Sequence, residues 1–425
     1  MARLLSFLLF AVLTVVVAAC GDDDASFATA SSGLDRVEDP QVPAADAAEL
    51  EAGNTAFAFD LYRELGAEPG NLFFSPHSIS TALAMTYAGA RTATEQEMAA
   101  TLHFTLPQDR LHPAFNALDQ ALAERSKVKL AKDEKGSPPE LHIANATWGD
   151  KEYRFLDDYL DVLALNYGAG LRLLDFRKDP EGSRETINSW VEEQTNDRIK
   201  DLIPEGAIDG LTRLVLTNAI YFKASWVTAF DEGKTAPAPF QLLDGSSVEA
   251  SMMRASGAKV RYARARSFQA VELPYIGNEV SMLILLPDAG KFAEAEAGLD
   301  ADELRTITAA LKPVLATLSM PKFEFEWELS LKDPLRELGM ESAFEGADFS
   351  GMDGTRNLAI TDVLHKSFIA VDEQGTEAAA ATAVIIGETA APEVVEVTVD
   401  RPFIFLIRDK PTGAILFLGR LASPK

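Results

Sequence analysis

Residues 373–389, EQGTEAAAATAVIIGET, are too small for a buried strand and too apolar for an ordinary surface loop. A Gly375-Thr376 step opens onto Glu377 and a run of four alanines, and after Thr382 comes the β-forming triplet Val384-Ile385-Ile386. The flanking blocks VLHKSFIAV (363–371) and PFIFLIRD (402–409) are strongly apolar and read as core strands. A segment of this composition between two core strands describes a loop able to become a strand. Few folds accommodate that change, and it points towards a mechanism that uses it.

The rest of the chain supplies a large globular core. Of 425 residues, 47% are hydrophobic and 24% charged, which is ordinary globular composition. A formal net charge of −26 argues against nucleic acid or anionic lipid as partners, since both repel such a surface. The sequence contains no CxxC, HExxH, GxSxG or glycine-rich phosphate loop, and its five histidines (His77, His103, His112, His142, His365) are scattered singly. No cofactor and no metal are therefore expected, and no catalytic residue is assigned.

The N-terminus reads as an export signal over residues 1–19. Arg3 supplies a positive charge, and Leu4 to Ala19 is an apolar run too short to span a bilayer comfortably. It ends in Val17-Ala18-Ala19-Cys20-Gly21, which resembles the lipobox of bacterial lipoproteins, where cleavage before the cysteine leaves a lipid-bearing thiol. A plain secretory signal with an incidental Cys20 is the alternative. Both imply an exported protein, in the cell envelope or outside it. Cys20 is the only cysteine, so no internal disulfide is possible. Residues 20–46, rich in Asp, Ala, Ser and Pro, read as a disordered acidic tether.

From Ala47 to Lys425 no linker or repeat interrupts the pattern, and one domain is expected. Phe57, Leu61 and Leu65 recur at helical spacing. Ser75 suits a helix N-cap with Pro76 at the first helical position, and Gly89 suits the end of that helix. Thr92-x-x-Glu95 reads as a capping box. Further on, RLVLTNAIYFKASW (213–226) is apolar on both faces, as a central strand requires. FEFEWELS (323–330) alternates Phe, Phe, Trp and Leu with Glu and Ser, which predicts one buried and one solvated face. LKDPLRELGM reads as a short helix closed by Gly339. The last apolar block reads as two strands joined by a turn at Asp409–Gly413. The sum is an α+β protein with helices first and large, mostly antiparallel sheets after them.

The blocks NLFFSPHSI (71–79), LVLTNAIYFKASW, VELPYIGNEVSMLILLPD, MPKFEFEWELSLKDPLRELGM, VLHKSFIAVDEQGTEAAAAT and DRPFIFLIRDKPTGAILFLGRL together resemble the serpins, in family order, over essentially everything after residue 46. The resemblance implies the serpin fold with an exposed reactive-centre loop at about 373–396. It also implies a monomeric suicide inhibitor of serine proteases rather than an enzyme. The protease serine attacks a loop bond and forms an acyl-enzyme. The cut loop then enters the main sheet as a new strand, a known case of strand addition, and the distorted enzyme stays covalently trapped. Roughly ten new ladder hydrogen bonds at about 1 kcal/mol each rival the whole stability of a typical domain, about 5–15 kcal/mol. The uninserted form is then a kinetic trap.

The loop suits that mechanism. If Thr376 faces inward on entry, so do Ala378, Ala380, Thr382, Val384 and Ile386, while Glu377, Ala379 and Ala381 face outward. The hinge is thus Glu373, Gly375, Thr376, Glu377, Ala378, Ala379, Ala380, Ala381 and Thr382. None of its inward residues is charged, and none is a proline that would remove a ladder donor. Between Gln374 and Val399 there is no Lys, Arg, Phe, Tyr or Trp, which disfavours trypsin-like and chymotrypsin-like targets. Family spacing from Glu373 places the reactive bond at Thr389–Ala390, with Ala390–Ala391 second. Both suit elastase- or subtilisin-like enzymes, whereas Glu388–Thr389 would suit a glutamate-specific one. Counting back from Pro402-Phe403 lands instead at Ala391–Pro392.

By motif, Ser75, Ser78, Asn218 and His365 match the polar cluster beneath the sheet opening of serpins. Trp226, Lys322 and Glu373 match the entrance above it, with Glu373–Lys322 as a latch. Lys127, Lys129, Lys132 and Lys135 are interrupted by Asp133 and Glu134 and read as a solvated loop rather than a glycosaminoglycan site. The competing functions are a non-inhibitory serpin acting as a carrier, which bulky or charged hinge residues would mark, and a secreted hydrolase, for which no nucleophile–base set is present.

Overall fold

The computed structural model describes residues 27–130, 136–265, 267–376 and 394–425. The proposed signal peptide, Cys20, Lys132, Lys135, and hinge and reactive-bond residues 377–393 lie outside these. The main sheet runs in the order β1 (Ala28–Ala30), β4 (Leu171–Leu174), β3 (Glu140–Asp150), β5 (Leu214–Ser225), β13 (Gly375–Thr376), β12 (Ile360–Val371) and β11 (Phe323–Ser330). β5 and β12 also pair directly with each other. A second sheet runs β14 (Val394–Thr398), β10 (Lys312–Pro321), β7 (Ser247–Arg264), β8 (Phe268–Pro274), β9 (Val280–Pro287), β15 (Phe403–Asp409), β16 (Ile415–Leu421) and β2 (Leu72–Phe74), with β6 (Ala236–Gln241) beside β7.

Helices cover these sheets: α1 (Ala44–Leu65), α2 (Pro76–Tyr87), α3 (Thr92–Thr101), α4 (Gln108–Ala123), α5 (Asp157–Tyr167), α6 (Pro180–Gln194), α7 (Phe292–Ala297), α8 (Ala301–Ala310), α9 (Lys332–Glu337) and α10 (Ser350–Asp353). The architecture is the expected α+β arrangement. Phe57, Leu61 and Leu65 are buried along α1 as their spacing predicts. β5 is buried on both faces, as a central strand should be. Its one face packs with β12 against α6 through Ala219, Tyr221 and Leu364. Its other face turns towards the second sheet through Ile220 and Phe222.

α2 lies between the two sheets and touches β3, β5 and β16. Ser75 caps it by accepting the Ser78 amide at 3.1 Å, and Pro76 occupies the first turn, as predicted. Gly89 has a different use from the expected helix stop. The helix ends at Tyr87, and a Cβ on Gly89 would lie 2.1 Å from Met352 Cγ, so close packing of α10 requires the glycine.

Three further sequence expectations need correction. The Thr92–Glu95 capping box does not form, because Thr92 Oγ1 bonds to Asp348 Oδ2 (2.9 Å) and Glu95 accepts from Gln108 (3.0 Å). The alternation in β11 fades towards solvent: Phe323 is buried, Trp327 half-buried and Leu329 exposed, since this edge strand runs past the core. The third concerns the tether. Residues 27–46 were expected to be disordered, yet β1 pairs with the edge of β4, and α1 begins at Ala44. The sequence hides this strand because its hydrogen bonds are supplied by the open edge of β4 rather than by its own apolar pattern.

Candidate functional site: the seam and entrance of the main sheet

β5 and β12 run parallel, paired from Ile360–Leu214 with a bulge after Ile360 and then in unbroken register from Asp362–Val215 to Phe368–Tyr221. Beyond Tyr221 they part, and β13 fills the gap, pairing Gly375 with Ser225 and Thr376 with both Ala224 and Val371. The site is therefore a closed seam with a two-residue wedge at its top.

At the seam three polar side chains stand in a row, because the register sets Asn145 beside Asn218 and Asn218 beside His365. Ser75 N–H donates to His365 Nε2 (3.4 Å), so the ring proton sits on Nδ1 and is donated to Asn218 Oδ1. Asn218 Nδ2 donates to Ser78 Oγ (2.7 Å) and Asn145 Oδ1 (2.6 Å). Ser78 Oγ donates to Asn145 Oδ1 (2.9 Å), and Asn145 Nδ2 returns to the Ser78 carbonyl (3.1 Å). Burial pushes His365 down to about 3 and keeps it neutral. The network can exchange partners without exposing a charge. All four predicted cluster residues meet here. Asn145 was missed, although an Asn inside the strand HIANAT was a signal.

The entrance is built around a tight turn. The Asp372 carboxylate accepts the amides of Gln374 (2.8 Å) and Gly375 (3.1 Å), which reverses β12 into β13. Gly375 is needed for close approach, since a Cβ there would sit 2.0 Å from the Ala224 carbonyl oxygen. Trp226 braces the turn, its amide on the Gln374 carbonyl (2.9 Å) and its indole N–H on the Asp372 carbonyl (3.1 Å). Its ring stacks on Tyr275 at 4.4 Å, and the Tyr275 hydroxyl meets Thr376 Oγ1 at 2.7 Å. Burial pushes the Tyr275 phenol far up, so it remains a neutral partner.

The predicted latch is present as an ion pair. Lys322 Nζ lies 3.0 Å from Glu373 Oε2, and Thr235 Oγ1 donates to Glu373 Oε1 at 2.7 Å. Burial raises Glu373, but the Thr235 hydroxyl, its own backbone amide and Lys322 outweigh that and hold the carboxyl below its usual range. Lys322 is half-exposed, so the pair contributes under about 1 kcal/mol. Tyr275 and Thr235 escaped the sequence reading.

On the outer face, Lys366 is buried between Glu326 (3.1 Å) and Glu328 (2.9 Å) and also donates to the Lys200 carbonyl (3.0 Å). It ties β12 and β11 to the segment that leads from α6 towards β5. Its signal was the row of glutamates in FEFEWELS.

A serpin (serine protease inhibitor) family model matches residues 52–424. An uncharacterised serpin-like protein of Thermococcus kodakarensis is 42% identical over 373 residues, covering 87% of this chain and 84% of that one. The leukocyte elastase inhibitor of Bos taurus is 40% identical over 387 residues, covering 88% and 100%. The crystal structure of a highly specific serpin from the insect Tenebrio molitor superposes with a TM-score of 0.77 at 29% identity, covering 89% and 99%. With its seam, its entrance and this similarity along nearly the whole domain, the chain belongs to the serpin family.

Proposed function

We propose that the protein inhibits serine proteases as a suicide substrate, trapping the acyl-enzyme covalently when its cut loop enters the seam between β5 and β12. One observation carries this reading, the register of the wedge. Thr376 already sits between Ala224 and Val371. Each two-residue step along the loop moves two residues down both neighbours. Ala378 then falls between Phe222 and Ile369, and Ala380 between Ile220 and Ser367. Thr382 falls between Asn218 and His365, the pair that now bond to each other across the closed seam. A threonine hydroxyl arriving there can replace the bond that opening breaks. Val384 and Ile386 continue on the same apolar inner face.

Small residues around Thr389–Ala390 favour elastase- or subtilisin-like targets. The signal at residues 1–19 and Cys20 favour an exported, lipid-anchored protein.

The test is to mix the protein with pancreatic elastase and with subtilisin. An SDS-resistant complex is expected, with mass spectrometry placing the released peptide's start at Ala390. Cleavage without a complex, and without added heat resistance in the nicked protein, would overturn inhibition in favour of a carrier.

A further inference from the structure

Loop insertion widens the main sheet by one strand spacing, about 4.8 Å. β5, β3, β4 and β1 must shift together relative to β12 and β11. β1 rides on the far edge of the shifting half, yet the chain that follows it runs back to α1, which packs on β16 of the other sheet. Residues 27–43 therefore span the two bodies that must separate. They also precede the part of the chain that matches the family model, which begins at residue 52.

The strap is fastened along its length. Phe27 stands edge-on to Trp148 at 5.1 Å, and the Arg172 guanidinium lies 4.1 Å from the Trp190 ring and 5.6 Å from Phe27. Ala28, Thr29 and Ala30 pair with Leu173, Arg172 and Leu171. Ser32 donates to Asp161 on α5. Arg36 bonds to Asn116 (2.8 Å) and Asp119 (2.7 Å) on α4. The Val37 carbonyl accepts from Asn116 (2.9 Å) and Gln120 (2.8 Å), while its amide donates to the Leu165 carbonyl of α5 (2.9 Å). The body is shaped to receive it: a Cβ at Gly170 would lie 2.7 Å from the Ala30 carbonyl oxygen, and the positive-φ Gly168 lies under Arg36. These contacts join β3, β4, α4 and α5 to a segment with little core of its own.

We infer that residues 27–43 act as a brake on opening of the main sheet, holding the uncleaved protein in its uninserted form. The inference rests on the insertion reading above and adds its regulation.

The experiment follows spontaneous conversion of the uncleaved full chain to a heat-resistant inserted form at 37 °C, by thermal melts of timed samples. Deleting residues 27–36 is expected to speed conversion about tenfold, as loss of about one hydrogen-bonded contact's worth of hold from the uninserted state implies. Because a deletion can disturb folding, a second variant joins Ala28→Cys to Leu173→Cys in a Cys20→Ala background. These residues pair directly across β1 and β4, at a spacing a disulfide can bridge. The oxidised variant is expected to convert more slowly than the same protein after reduction, and reduction is also expected to change the fluorescence of Trp148 and Trp190. Equal rates in the deletion and wild type, together with equal rates in the oxidised and reduced forms, would overturn the brake alone. A wild-type protein that never converts, even on heating, would overturn the insertion reading and the brake with it.

Discussion

The hydroxyls of Tyr275 and Thr376 meet at 2.7 Å in a buried site, and this contact pins the start of the loop inside the sheet. Tyr275→Phe removes one partner and leaves the other unsatisfied, which costs about 1–3 kcal/mol locally. The stacking on Trp226 survives, since it needs only the ring. Amide exchange at Gly375 and Thr376 should accelerate by about tenfold or more, with β5 exchange unchanged below Tyr221. Wild-type exchange at Thr376 would show that the hydroxyl contact holds nothing.

Thr376→Arg tests the direction in which the loop enters. The side chain faces the interior beside Ala224 and Tyr275, and a guanidinium there would cost several kcal/mol. The arginine would expel the wedge from between Ala224 and Val371, and the cut loop would have to bury the charge to re-enter, so insertion should be slower than deacylation and the variant is cleaved as a substrate. Gel analysis with pancreatic elastase should show cleaved inhibitor and free enzyme. SDS-resistant complex at the wild-type yield would refute entry through this position.

Gly375→Ala should displace the wedge. The new methyl would meet the backbone oxygen of Ala224, which cannot rotate aside as a side chain could. A loss of about 1–3 kcal/mol is expected for the uncleaved protein, read as a lower thermal midpoint. Gln374→Ala at the neighbouring position serves as the control, and equal melting of the two variants would remove the steric argument.

Buried histidines should make the protein acid-sensitive in a defined window. Burial pushes His365 down to about 3 and His112 to about 4, and lowers His77 as well. The unfolded chain takes up these protons near pH 6.5, while the folded protein does not. Stability from the neutral rings is thus fully present above pH 6.5 and is lost as pH falls towards the folded values. By pH 5 the His365 and His112 rings each account for a loss of about 2 kcal/mol, and His77 adds to it in the same direction. Denaturant midpoints at pH 7.5 and 5.0 should therefore differ less in His365→Gln than in the wild type. An undiminished difference would exclude His365 from the acid response.

Polar residues stranded in apolar strands were the most legible part of the site. Asn218 in LVLTNAIYF and His365 in VLHKSFIAV stand out because a buried strand has no other reason to carry them, and motif resemblance supplied Ser75 and Ser78. Asn145 needed more, since its place beside Asn218 depends on the register of β3 against β5. Tyr275 was hidden for a different reason. A tyrosine in an apolar block reads as core, and its hydroxyl partner lies 101 residues away. β1 was hidden most deeply, because three small residues carry no periodicity and borrow their structure from β4.

Docking of the N-terminal segment also sets a leash length. A free tether ending at residue 46 would let an anchored inhibitor range about 90 Å from its lipid. With Phe27 already fixed against Trp148, only residues 21–26 separate the domain from Cys20, a reach of about 25 Å at full extension. An acylated protein would then stand close to the bilayer with the β1 edge of its main sheet towards the lipid. With the proposed anchor and the proposed inhibition together, it would guard a thin layer at the membrane surface rather than the volume around the cell.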